Sequence, residues 1–60
     1  MPSPVRFAVV RKLLESKGYV LAQIRGSHHV FKKPGAPPQI VPVHHNVVKY
    51  AYFRNAQQAP

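Results

Sequence analysis

Cysteine is absent from this 60-residue chain, and one carboxylate side chain, Glu15, stands against nine lysines and arginines. The first absence excludes disulfides and any zinc site built with thiolates. The second excludes acid–base chemistry run by a pair of carboxylates. Long apolar runs are missing too. A run such as Phe7 to Val10, which no other exceeds, falls far short of the length that spans a bilayer. The N-terminus has no apolar core of the signal-peptide kind. A cytoplasmic location is the resulting expectation.

What the chain does have is charge and enough apolar side chains to fold. The formal net charge is +8, and 45% of the residues are hydrophobic. Residues 1–60 are expected to form one small domain. A domain of this size buries only about 60% of the surface its unfolded chain exposes, so its stability is marginal and a partner adds to it by mass action. The charge predicts attraction to a polyanion: nucleic acid, an anionic membrane or an acidic protein.

Hydrophobic spacing predicts the elements. Ser3-Pro4 reads as a helix start, with Ser as cap and Pro at the first helical position, although Arg6 occupies the place a capping box gives to Glu or Gln. Val5, Val9 and Leu13, with Val10 and Leu14 beside them, mark an apolar stripe on a helix from Pro4 to Lys17. Gly18 ends it in a left-handed conformation and Tyr19 packs back. The period then changes to two. Tyr19 to Ile24 and His28 to Lys33 read as strands joined by a Gly26-Ser27 turn. Lys33 to Pro38 is a loop. Gln39 to His44 is a third strand, and Pro42 places it at an edge. His45-Asn46 turns the chain into a helix from Val47 to Gln58, with Val47, Tyr50, Ala51 and Arg54 along one face. The expected class is α+β, in the order α-β-β-β-α. Its three-stranded antiparallel sheet would carry both helices on one face and leave the other free for a ligand.

With carboxylate pairs excluded, histidine is the side chain suited to proton transfer near neutral pH. Alternation puts His29 on one face of its strand with Phe31 and Lys33, and His28 on the other with Val30 and Lys32. The residues alone leave open which histidine faces the open side, and the same holds for His44 and His45. A histidine pair on a strand also reads as structural packing. A metal held by His28 or His29 with His44 or His45 would lack a thiolate or carboxylate to complete it, so no metal and no other cofactor is expected. RNA suits a histidine among cations. Its 2′-hydroxyl is an internal nucleophile, an imidazole can move the proton, and Lys or Arg can stabilise charge on the phosphate. Three functions fit: an RNA-cleaving enzyme, a non-catalytic RNA-binding module, and a basic protein-interaction domain for an acidic partner.

Three blocks of residues narrow the choice. Leu13-Leu14-Glu15-Ser16-Lys17-Gly18-Tyr19, Arg25-Gly26-Ser27-His28-His29-Val30-Phe31 and Ile40-Val41-Pro42-Val43-His44 occur in order. The chain in this respect resembles the HicA family of toxins, whose pattern is a Leu-Glu-x-x-Gly-Phe helix end, a Gly-Ser-x-His core and a Val-Pro-x-His strand. The resemblance implies a fold similar to a double-stranded RNA-binding domain and a ribosome-independent messenger RNA endoribonuclease. It implies His29 as catalytic residue, supported by Gly26, Ser27 and His28, and a HicB-type antitoxin that covers the histidine. Arg25, Lys32, Lys33, Lys49 and Arg54 are the cations expected to hold RNA. The segment after His44 departs from the family pattern. Its polar end, Asn55 to Pro60, predicts loose docking of the second helix, while Tyr52 and Phe53 are expected in the core.

Overall fold

The computed structural model describes residues 3–60. Its elements are β1 (Val5–Arg6), α1 (Phe7–Ser16), β2 (Val20–Arg25), β3 (His28–Lys32), β4 (Gln39–Pro42), β5 (Val47–Val48) and α2 (Tyr50–Gln58). Strands β2, β3 and β4 form an antiparallel sheet in that order, which leaves Pro42 on an edge strand as expected. β1 and β5 form a separate antiparallel ribbon. The α+β class and the α-β-β-β-α order of the main elements therefore hold, with the ribbon added. No helix among the described residues is long and apolar enough to cross a membrane.

The ribbon corrects the expected start of the first helix. Instead of helix from Pro4, Val5 and Arg6 pair with Val48 and Val47, and the Phe7 N–H donates to the Asn46 carbonyl at 2.8 Å. Arg6 becomes the N-cap, in extended conformation and without a side-chain cap. A Ser cap contributes only about 1 kcal/mol. Closing the ribbon over the fully buried Val48 outweighs it. Helix α1 then buries Val10 and Leu14 and packs Leu13 against the core, while Val9, expected in the stripe, is exposed.

The other end of α1 follows its sequence. Gly18 has φ +94°, its N–H donates to the Glu15 carbonyl, and the Tyr19 N–H donates to the Leu14 carbonyl, both at 3.0 Å. This pair of bonds is the Schellman arrangement, sealed by contact between the residue after the glycine and the last helical turn. Tyr19 and Leu14 are both buried. At the Arg25–His28 connection Gly26 has φ +56° and Ser27 does not have a positive φ, as the first and second central positions of a type II′ hairpin turn require.

Val10, Leu14, Tyr19, Phe31, Val41, Val48 and Ala56 make the core. Both helices thus lie on the sheet face that carries Phe31 and Val41. The opposite face exposes Val20 and Ile40 to solvent.

The region after β4 corrects the sequence reading three times. His44 pairs with Val47 around a two-residue turn in which His45 and Asn46 both have positive φ, 52° and 65°. The chain thus makes a tight hairpin into β5, and helix α2 starts only at Tyr50. Its docked face is Tyr52, Phe53 and Ala56 rather than Val47, Tyr50, Ala51 and Arg54. Docking is tight, not loose. The Lys17 ammonium, at the end of α1, donates to the carbonyls of Ala56, Gln57 and Ala59 at 2.9, 2.6 and 2.7 Å. These carbonyls at the C-terminal end of α2 carry the negative pole of its dipole, which a cation satisfies.

Candidate functional site

The pleat separates the two adjacent histidines, and Phe31 decides which goes where. Phe31 is fully buried, so His29, two residues away on β3, points to the helix side of the sheet, and His28 points to the open side. His28 is exposed and His29 half-buried. The two imidazoles therefore do not face each other.

His29 sits in a defined cradle. Across the strands it is flanked by Ile24 on β2 and Val41 on β4. From above, the Phe7 ring at the start of α1 lies 4.7 Å from the imidazole, centroid to centroid, at an interplanar angle of 55°. Its Nδ1 lies 3.2 Å from the Ser27 carbonyl oxygen. A carbonyl can only accept, so this contact assigns the proton of a neutral ring to Nδ1 and leaves Nε2 with a free lone pair. The same carbonyl accepts the Val43 N–H at 2.8 Å. The Gly26-Ser27 turn thus positions the ring as well as reversing the chain.

The cations expected to hold RNA scatter. Arg25 and Lys32 are exposed on the open face, the face of His28 rather than of His29. With the Gln23 amide oxygen turned toward it, the Arg25 guanidinium donates at 2.6 Å from Nε and 3.2 Å from Nη2, a brace along one strand. Lys33 is half-buried. Its ammonium donates to the Pro60 carbonyl at 3.1 Å and lies 5.6 Å from the centroid of the Tyr19 ring. Lys49 is the N-cap of α2, and Arg54 lies exposed on that helix.

Sequence reasoning missed the basic residues that share a neighbour with His29. Arg6, Arg11 and His45 line an open pocket of about 440 Å³ together with Phe7, Ala8, Asn46 and Val47. Phe7 is common to the pocket and to the His29 cradle. No periodic signal unites these residues. Only the β1–β5 ribbon, which brings Arg6 beside Val47, draws them together.

The site can exchange a proton at an oriented imidazole beside a basic surface. The model of the HicA toxin of bacterial toxin–antitoxin matches residues 8–55, a span that includes the Gly26-to-His29 turn and the Val41-Pro42-Val43-His44 strand end. Searches of curated proteins and of solved structures return no match. Matched over most of its length, with the three sequence blocks folded into one helix end, one hairpin and one edge strand, the chain belongs to the HicA toxin family.

Proposed function

We propose that this protein is the toxin of a toxin–antitoxin pair and acts as a metal-independent endoribonuclease on messenger RNA, with His29 as its catalytic residue. The observation that carries the reading is the Nδ1 contact with the Ser27 carbonyl, which leaves Nε2 available as a base. In the step, Nε2 takes the proton of a ribose 2′-hydroxyl. O2′ attacks the adjacent phosphorus, the P–O5′ bond breaks, and the departing oxygen takes up a proton from water or from the imidazolium. The products are a 2′,3′-cyclic phosphate and a free 5′-hydroxyl. Acid–base assistance of this kind is typically worth about 10²–10⁴ in rate. Arginine and lysine side chains, Arg25, Lys32, Lys33, Lys49 and Arg54 among them, attract the strand by their charge.

Membership of a toxin–antitoxin family supports a protein antitoxin as the natural partner. We infer a HicB-type protein with an acidic surface, since nine cations against one carboxylate favour association with negative charge. Its binding over Phe7 and the His29 ring would exclude RNA.

The test is cleavage of purified messenger RNA by the wild-type chain and by His29→Ala. The variant should lose about 10²–10⁴ of the rate while RNA affinity stays within twofold. Equal cleavage by both proteins rejects His29 as the catalytic residue. Binding without cleavage by the wild type leaves an RNA-binding module instead.

A further inference from the structure

The pocket lined by Arg6, Arg11 and His45 has no role in the proton transfer, yet one side chain separates it from the imidazole. We propose that this pocket is a phosphate-binding subsite. It would hold a phosphodiester of the RNA strand next to the one cut at His29, and so deepens the nuclease reading on which it rests.

Four observations converge. The pocket is open and measures about 440 Å³, room enough for a phosphate group with part of its sugar. Its charged lining is entirely basic or protonatable, with two guanidinium groups and one imidazole and no carboxylate. Glu15, the single acidic side chain of the chain, lies near the far end of α1. Arg6 and Arg11 have no ion-pair partner among the described residues, so their donors are free for phosphate oxygens, which guanidinium groups bind in a bidentate fork. Finally, Phe7 has its ring against His29 and also lines the pocket, so a strand leaving the imidazole along this surface crosses Phe7 and meets the arginines. The positive end of α1 adds potential of the same sign but does not by itself make the site.

The His45-Asn46 turn holds the pocket's rim. Both residues keep positive φ, which side chains rarely adopt, and the Asn46 carbonyl is fixed by the Phe7 N–H. The rim therefore moves with the residue that contacts His29. An acidic side chain of a protein partner could also be drawn to arginines. A run of regularly spaced phosphates fits better here, because the imidazole and the pocket are then served by the same strand.

The experiment uses His29→Ala as the uncleaving background and a single-stranded RNA of mixed sequence as probe. Affinity is measured across a salt series for that protein and for versions that add Arg6→Gln, Arg11→Gln, both, or Lys12→Gln as a control on the same helix. Each phosphate contact contributes about 0.7 to the slope of log affinity against log salt for a single strand. The double variant should flatten the slope by about 1.4, Arg11→Lys should restore its share, and Lys12→Gln should leave the slope unchanged. Circular dichroism reports whether each variant is folded. A double variant that behaves as Lys12→Gln does, or that loses antitoxin binding while keeping its RNA slope, overturns the subsite. Cleavage by the wild type is scored separately. If the wild type cleaves and the slope is unmoved, only the subsite falls. If it binds but does not cleave and the slope flattens, the arginines bind RNA phosphate but not beside a cut one, and the nuclease reading falls. If it binds no RNA, both fall.

Discussion

The Lys17 ammonium lies 2.9 Å from the Ala56 carbonyl, tying the end of α1 to the end of α2 across 39 positions of sequence. Two further carbonyls, of Gln57 and Ala59, share the same ammonium. That side chain reinforces a helix already docked through Tyr52, Phe53 and Ala56. Lys17→Met keeps the aliphatic stem and removes the donors. It should destabilise the fold by roughly 1.5–3 kcal/mol, the range for hydrogen bonds involving a charged group. Urea denaturation checks this: the midpoint should fall at unchanged slope. RNA affinity should hardly change, because this charge is already engaged by the protein.

Asn46 is the second central residue of a hairpin turn with positive φ at both central positions, the conformation for which glycine is best suited. Asn46→Gly should be neutral to stabilising by up to about 1 kcal/mol, and Asn46→Val should destabilise by about 1–2 kcal/mol. Thermal unfolding of the two variants gives the comparison. A Val variant as stable as the wild type would contradict the turn geometry.

Phe31 is fully buried at the centre of the core. Phe31→Ala should cost about 3–5 kcal/mol. A chain of this length has a total stability of only about 3–9 kcal/mol at ordinary values per residue. The variant should therefore be largely unfolded at room temperature, visible as loss of dispersion in its proton NMR spectrum.

On the reading that His29 moves the proton, Phe7 is a positioning residue, its ring 4.7 Å from the imidazole, centroid to centroid. Phe7→Leu should lower kcat by about 10–100-fold, the scale of a small misplacement of a reacting group. KM should move much less, and Phe7→Tyr, which keeps the ring, should recover most of the rate. A purely structural role would lower the amount of folded protein without this split between kcat and KM.

Much of this fold was legible because its signals are local. Gly18 with Tyr19 carries a helix stop that needs nothing outside α1. Gly26-Ser27 dictates a hairpin by backbone geometry, and the prolines around Gly35 exclude a strand from the loop. The ribbon was not legible. Two-residue strands have no period to read, and the partner of Val5 is Val48, far along the chain. The pairing displaced the Ser3-Pro4 start and shortened α2 from Val47 to Tyr50. The docked face of α2 was misjudged for a related reason: which side of a short, mostly polar helix is buried depends on where Lys17 and the sheet meet it.

The site divides the same way. His29 could have been placed from Phe31, since an aromatic residue two positions along a strand shares its face and belongs in the core of so small a domain. The company that His29 keeps was beyond reach. Phe7 and the arginines around it gather only once the ribbon has closed.

The Ser27 carbonyl is a shared anchor, receiving both the imidazole of His29 and the first amide after β4. Peeling the edge strand outward would break the second of these bonds and loosen the first. A partner that grips the margin of the sheet at Val43 would therefore disturb the ring from a distance, without covering it.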